Sequence, residues 1–355
     1  MDKQKIIIST KLEQSVATAV SECERDRIFI LVDDTTRQLC LPLIAGYDCL
    51  RGAEVIAIGA TDQHKDLHSL THVWTELQRG GATRHSLMVN LGGGMVTDLG
   101  GFAASTFKRG LNYINIPTTL LAMVDASVGG KTGINFGGLK NEVGVFSTAR
   151  SVILDTTFLR TLDHENILSG YAEMLKHGLI ATTDMWAELL NFDLGVIDYH
   201  HLSRLLEDSV KVKERIVEAD PNEHGLRKAL NLGHTVGHAF EALALKSTNP
   251  ASRPLLHGYA VAYGLICELY LSTVKAGFPV AKMRQTVRFI NEHYGKMPIT
   301  CNDYPTLLEL MTHDKKNTAG QINFTLLGDV GDIRINQTAS KDEILEALDF
   351  YREEN

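Results

Sequence analysis

The sequence predicts an α/β half built on an open parallel sheet, followed by an all-α half. Three observations carry this. Up to about residue 161, short runs rich in Val and Ile alternate with amphipathic stretches. Beyond it, β-branched runs give way to long segments with apolar residues at helical spacing. And 355 residues exceed what one hydrophobic core usually serves, so two domains are expected, 1–164 and 165–355.

Strands are expected at 6–9, 27–32, 54–58, 86–90, 112–116 and 151–154. Runs such as Ile28-Phe29-Ile30-Leu31-Val32 are apolar without alternation, the pattern of a strand covered on both faces. Residues 12–24 and 67–79 supply helices between strands. Such alternation packs as a parallel sheet whose ligands bind in the loops beyond the carboxyl ends of the strands. In the second half, helices are expected at 172–180, 202–218, 229–245, 259–274, 282–293, 305–312 and 343–352, with one β-like piece at 322–327. Residues 246–254, with Ser, Thr, Asn and two Pro, read as a surface loop.

With 44% hydrophobic and 22% charged residues, the composition is that of a soluble globular protein. The net charge of −8 argues against nucleic acid or an anionic membrane as the main partner. A bound anion must therefore meet a local cluster of cations. Five cysteines, odd in number and without a Cys-x-x-Cys pair, read as reduced thiols. The first residues lack a signal-peptide pattern, and no apolar run is long enough to span a bilayer. The expected location is the cytoplasm.

Chemistry concentrates in a few motifs. In Asn231-Leu232-Gly233-His234-Thr235-Val236-Gly237-His238-Ala239-Phe240-Glu241, a helix puts His234 and His238 on one face. Two such imidazoles suit a divalent metal, most often zinc, although the same spacing is common where histidines only pack or meet water. His257 heads the next apolar helix, and Glu173 lies upstream in Gly170-Tyr171-Ala172-Glu173. Leu91-Gly92-Gly93-Gly94 follows a strand and precedes an expected helix at 95–104, a turn through which backbone amides can approach a phosphate. It is not Gly-x-Gly-x-x-Gly, because the last glycine would fall on Thr97. Val128-Gly129-Gly130-Lys131-Thr132-Gly133 looks like the end of a nucleotide-binding phosphate loop, but the loop's first glycine would be Asp125. Arg109, Lys140, Asn141, Lys176, Lys213, Arg227, Asn231, Lys315 and Lys316 are scattered around these motifs. Singly each reads as a solvated side chain; together they matter only if the fold gathers them.

Taken in order, the motifs resemble the 3-dehydroquinate synthase family along almost the whole chain. The matching residues run from Gly92-Gly93-Gly94 with Asp98 through Arg109-Gly110, Pro117-Thr118-Thr119, Asp125 to Gly133, and Lys140-Asn141. They continue with Glu173 and Lys176, Gly225-Leu226-Arg227, Asn231 to Glu241, His257-Gly258 and Asp314-Lys315-Lys316. The resemblance implies a Rossmann-like NAD-binding domain, then a helical metal and substrate domain. It implies metal ligands Glu173, His234 and His257, for Zn2+ or Co2+, with His238 moved from ligand to substrate contact. NAD would be held by Asp33, Asp62, Lys65, Gly93, Gly94, Met95, Val96, Thr97, Asp98, Thr118, Thr119, Lys131, Lys140, Thr161 and Leu162. The substrate would meet Arg109, Lys131, Asn141, Lys176, Lys213, Arg227, Asn231 and Lys315 or Lys316, with Asp125 orienting it.

The implied enzyme is a carbon–oxygen lyase acting on 3-deoxy-D-arabino-heptulosonate 7-phosphate, a phosphorylated sugar acid, and a homodimer. Oxidation at carbon 5 by NAD acidifies the proton on carbon 6, phosphate leaves, the hydride returns, and an aldol step closes the ring. The nearest alternatives are a metal-dependent polyol or glycerol dehydrogenase of the same fold and a related sugar-phosphate cyclase. Three positions depart from the family pattern: Asp62 replaces Glu, Leu139 replaces Gly, and Asp163-His164-Glu165-Asn166 replaces a Pro-Arg-Glu segment.

Overall fold

The computed structural model describes residues 4–246, 254–312 and 321–354. They form two compact units: 1–167 with 199–210, and 168–198 with 211–355.

The first unit is organised by a six-stranded sheet. Its elements run β1 (Lys5–Ile8), α1 (Leu12–Ser21), β2 (Ile28–Asp33), α2 (Asp34–Leu39), β3 (Glu54–Ile58), α3 (Leu67–Arg79), β4 (Leu87–Gly92), α4 (Gly94–Thr106) and β5 (Asn112–Pro117), then β6 (Lys131–Phe136), β7 (Leu139–Phe146) and β8 (Ser151–Leu154). The sheet order is β1-β8-β5-β4-β2-β3, and every pairing is parallel. All residues of β4 and β8 are buried, as their unalternating apolar sequences require. From β2 the chain steps outward to β3 and then returns to the other side of β2 as β4. The order therefore reverses between β2 and β4, and the crevice beyond their carboxyl ends is where such sheets take ligands. Asp33 and Gly93 lie there, at the end of β2 and just past the end of β4.

Outside that sheet, β6 and β7 make an antiparallel hairpin. The sequence does not announce it. The structure agrees that Gly129-Gly130-Lys131 is not a phosphate loop, as the misplaced first glycine implies: Lys131 opens a strand. The missed signal was Gly137-Gly138, both at positive φ, which make the two-residue turn of a tight hairpin.

The second unit takes most of α5 (His164–Ala181), then α6 (Thr183–Leu190), the latter part of α7 (Tyr199–Ala219), α8 (His234–Leu245), α9 (His257–Ala276), α10 (Val280–Tyr294), α11 (Tyr304–Thr312) and α12 (Lys341–Glu353). One hairpin, β9 (Asn323–Asp329) with β10 (Asp332–Thr338), joins them. Its first strand answers the β-like piece at 322–327; the second, half-exposed and alternating, was not anticipated. The helix expected at 229–245 is two elements: a 3-10 turn Leu226–Asn231, then α8, parted at Leu232-Gly233 where Gly233 adopts a left-handed φ of 79°. Most of the loop expected at 246–254 lies outside the described residues. Among the described residues no helix is long and apolar enough to cross a membrane, and all five cysteines are free thiols.

The helix expected at 172–180 begins eight residues earlier, at His164. Asp163 is the reason: its carboxylate accepts the Asn166 backbone N–H at 2.8 Å, an N-cap that the sequence reading took only as a departure from the family pattern. Asp163→Ala is expected to lower unfolding stability by about 1 kcal/mol. Urea denaturation checks this, and an unchanged midpoint and slope would show that the cap contributes nothing.

Candidate active site

The sheet delivers several predicted residues to loops at its carboxyl end. Asp33 ends β2 and caps α2, accepting the Thr36 N–H at 2.8 Å. Gly93 precedes α4, and no side chain caps that helix. The amides of its first turn, Gly94, Met95 and Val96, therefore lack intrahelical partners and lie at the positive end of the helix, an arrangement that suits a pyrophosphate. Thr118 follows β5, its N–H donating to the Gly92 carbonyl at 3.0 Å, and Thr119 lies beside Gly93. Thr161 and Leu162 close the 3-10 turn after β8.

A second group forms where the β6–β7 hairpin meets the loop after β3. The buried Lys65 donates to Asp98 on α4 and to the Asn141 side-chain oxygen at 2.5 Å. Asp62 lies 3.5 Å from the Lys140 ammonium. Asn135, which the sequence reading did not single out, ties these together. Its N–H donates to the Lys65 carbonyl at 2.7 Å, its side-chain amide donates to the Asp62 carbonyl at 3.0 Å, and its side-chain oxygen accepts the Asn141 N–H at 2.9 Å. Five residues predicted singly, Asp62, Lys65, Asp98, Lys140 and Asn141, are thus one network. Arg109 and Lys131 are exposed, and Asp125 lies in a π-helical turn, Ala122–Ala126, all in this unit.

The second unit holds the metal-type group. Glu173 on α5 is completely buried, and its Oε1 has no hydrogen-bond partner among the described residues. The Nε2 atoms of His234, first residue of α8, and His257, first residue of α9, lie 3.4 and 3.5 Å from that oxygen. The distances fit a metal well: two donors about 2.05 Å from a tetrahedral zinc are about 3.3 Å apart. The other ring nitrogens are accounted for. His234 Nδ1 lies 3.1 Å from the Leu232 carbonyl and His257 Nδ1 lies 3.3 Å from Glu241. A carbonyl or carboxylate only accepts, so each Nδ1 carries a proton and each Nε2 of a neutral ring turns a lone pair toward Glu173. Acceptors that face one another this closely need a cation between them. His238, one turn along α8, lies beside both ligand candidates, with ring centroids 5.3 Å from His234 and 5.9 Å from His257.

One cation meets this group directly. Lys176, buried on α5, donates to the other oxygen of Glu173. Burial alone would raise the Glu173 pKa, but Lys176 and the two histidines hold it well below the carboxylate range. Lys213 and Arg227 are also buried. The Arg227 guanidinium donates to the Pro221 carbonyl at 2.6 Å, and Asn231 donates to Glu223 at 3.1 Å. Lys315 and Lys316 lie outside the described residues.

Known proteins fit this arrangement. Residues 55–169 match the family model described as 3-dehydroquinate synthase N-terminal, and residues 170–317 match 3-dehydroquinate synthase C-terminal. The chain is 54% identical over 353 residues to a 3-dehydroquinate synthase of Parabacteroides distasonis, covering 99% of both chains. The chain belongs to the 3-dehydroquinate synthase family. A second family member, from Oceanobacillus iheyensis, is 38% identical over 309 residues, covering 86% of this chain and 84% of that one. Among solved structures, a 2-epi-5-epi-valiolone synthase from Streptomyces hygroscopicus subsp. jinggangensis with NAD+ and Zn2+ bound shares the fold. It has a TM-score of 0.86 at 24% identity and covers 100% of this chain and 98% of its own. A 2-deoxy-scyllo-inosose synthase complexed with carbaglucose-6-phosphate, NAD+ and Co2+ also shares it, with a TM-score of 0.84 at 23% identity and coverage of 98% and 96%.

In metal-free protein His257 is held in its charged form. Burial opposes charging His257, but the carboxylates of Glu173 and Glu241 outweigh it and push the pKa from an ordinary 6.5 up to about 10. A raised folded-state pKa stabilises fully below the unfolded value and ceases to do so as pH rises through the folded one. In chelator-treated protein, wild type should exceed His257→Gln in stability most near pH 6. That gap should close as pH passes about 10. Denaturant titrations across this range test it; a gap independent of pH would overturn it.

Proposed function

We propose that the protein converts 3-deoxy-D-arabino-heptulosonate 7-phosphate to 3-dehydroquinate and inorganic phosphate, with NAD and a divalent metal, Zn2+ or Co2+, as resident cofactors. The carrying observation is the Glu173–His234–His257 geometry, in a chain akin to 3-dehydroquinate synthases over nearly its full length. Those three residues would hold the metal. The dinucleotide would lie at the β2–β4 crevice against Asp33, the Gly93–Asp98 turn, Thr118, Thr119, Thr161 and Leu162, with Asp62, Lys65, Lys131 and Lys140 beside it. The chemistry these groups would supply is a hydride acceptor and donor for carbon 5 and a Lewis acid for the oxygen there, the latter typically worth several kcal/mol.

The protein's own residues do the rest. Arg109, Lys131, Asn141, Lys176, Lys213, Arg227, Asn231 and Lys315 or Lys316 would bind the phosphate and carboxylate, while Asp125 and His238 orient the sugar hydroxyls. A carboxylate-bearing substrate suits the buried Arg227, whose planar guanidinium pairs best with a carboxylate or phosphate. Asn135 keeps the Asp62–Lys65 and Lys140–Asn141 loops in register. A homodimer in the cytoplasm completes the proposal, and analytical ultracentrifugation reads the assembly directly.

With the seven-carbon phosphate, NAD and zinc, purified protein should release inorganic phosphate without net NADH. Steady NADH accumulation would point instead to a dehydrogenase. Glu173→Ala and His257→Ala should each lose bound metal and turnover together, and full metal occupancy in both would reject the ligand set. Lys131→Ala should chiefly raise KM for the phosphorylated substrate, by about tenfold or more for one lost charged hydrogen bond. Unchanged kinetics would remove Lys131 from phosphate binding.

A further inference from the structure

Glu268 lies in an apolar run of α9, Leu265-Ile266-Cys267-Glu268-Leu269, and is completely buried. A buried carboxylate must be compensated. Three of its contacts are at the start of α8: Oε2 accepts the Gly233 N–H at 2.7 Å, and Oε1 accepts the Thr235 and Val236 N–H groups at 3.0 and 3.1 Å. Gly233 has no side chain with which to cap α8, so Glu268 supplies from a neighbouring helix both the acceptors and the negative charge that a helix N-terminus attracts.

The clamped turn is the one that aims His234. Left-handed Gly233 lies between Leu232, whose carbonyl meets His234 Nδ1, and His234, whose Nε2 faces Glu173. Glu268 also shares a face of α9 with His257, about three turns away, so one helix carries a ligand candidate and the group that positions another. We propose that Glu268 is a positioning residue: by fixing the Leu232–Gly233–His234 turn it holds the His234 imidazole in the tautomer and direction that metal binding needs. This rests on the reading of Glu173, His234 and His257 as the metal site.

Glu268→Gln tests it. The amide keeps the shape and one acceptor oxygen, but its NH2 must face an N–H that the carboxylate had satisfied, so either Gly233 or the Thr235–Val236 pair loses its partner. Chelator-treated wild type, Glu268→Gln, His234→Ala and the double variant are titrated with Zn2+ against a chromophoric chelator, well below their unfolding temperatures. Co2+ titration gives the visible spectrum of the site. Glu268→Gln is expected to weaken Zn2+ about tenfold to a hundredfold, the usual effect of losing support behind a ligand, and to alter the Co2+ spectrum. In the His234→Ala background it should add almost nothing. Lower melting temperature with unchanged affinity and spectrum, or equal weakening in both backgrounds, would make Glu268 a structural cap only and overturn the proposal. If His234→Ala and His257→Ala themselves bind Zn2+ like wild type, the metal reading fails, a result distinct from failure of Glu268. Should Glu268→Gln not fold, Glu268→Asp, with the charge kept but drawn back by one methylene, is read by the same criteria.

Discussion

The second unit depends on one requirement: a carboxylate with no exposure must be neutralised. Glu173 meets Lys176 through one oxygen and two imidazole nitrogens through the other. Taking a carboxylate out of water costs several kcal/mol unless its partners restore that energy. Because each histidine spends its Nδ1 proton elsewhere, the Nε2 side is electron-rich, and only a proton or a metal ion can reconcile it with Glu173. Leu232, Glu241 and Glu268 make sense as consequences: each acts on the direction of an imidazole or on the turn that carries it. The outer groups are as specific to this site as the three that would touch the ion.

Much of the fold was legible because burial imposes strong patterns. The strands at 54–58 and 151–154 and the helix at 67–79 match the structure residue for residue. Errors arose where local chemistry outweighs periodicity. The β7 strand is exposed along all eight residues, so no alternation marks it; only its Gly137-Gly138 turn could have. The 229–245 segment is apolar at helical spacing throughout, yet left-handed Gly233 splits it. The start of α5 was lost because its evidence is a cap, Asp163, and not an apolar stripe.

The candidate site was legible by a different route. Spacing alone placed His234 and His238 on one face and nominated both as ligands. It could not choose between His238 and His257, because that choice depends on which nitrogens reach a carboxylate from another helix. Glu173 and His257 stood out nearby as candidates, the family resemblance chose them with His234 over His238, and the geometry is compatible with that set. Asn135, Glu241 and Glu268 escaped for one physical reason: their partners are backbone groups or side chains distant in sequence. A lone acid within an apolar helix, as at Glu268, is the one signal that was present, since such a charge is buried only when something compensates it.

The buried cations point the same way. A chain of net charge −8 has acids enough to let every lysine and arginine remain in water. Instead Lys176, Lys213 and Arg227 are buried in the same unit as the metal-type group. Buried ion pairs contribute little to stability, and hydrophobic replacements often do better. Charge arithmetic suggests what holds them there. With a divalent ion held as proposed, Glu173, Glu241 and Glu268 supply three negative charges against the ion's two and one from Lys176. The loaded group is then neutral before Lys213 and Arg227 are counted, and positive once they are. Buried cations in the same unit as the metal-type group suit the proposed substrate, which carries both a carboxylate and a phosphate.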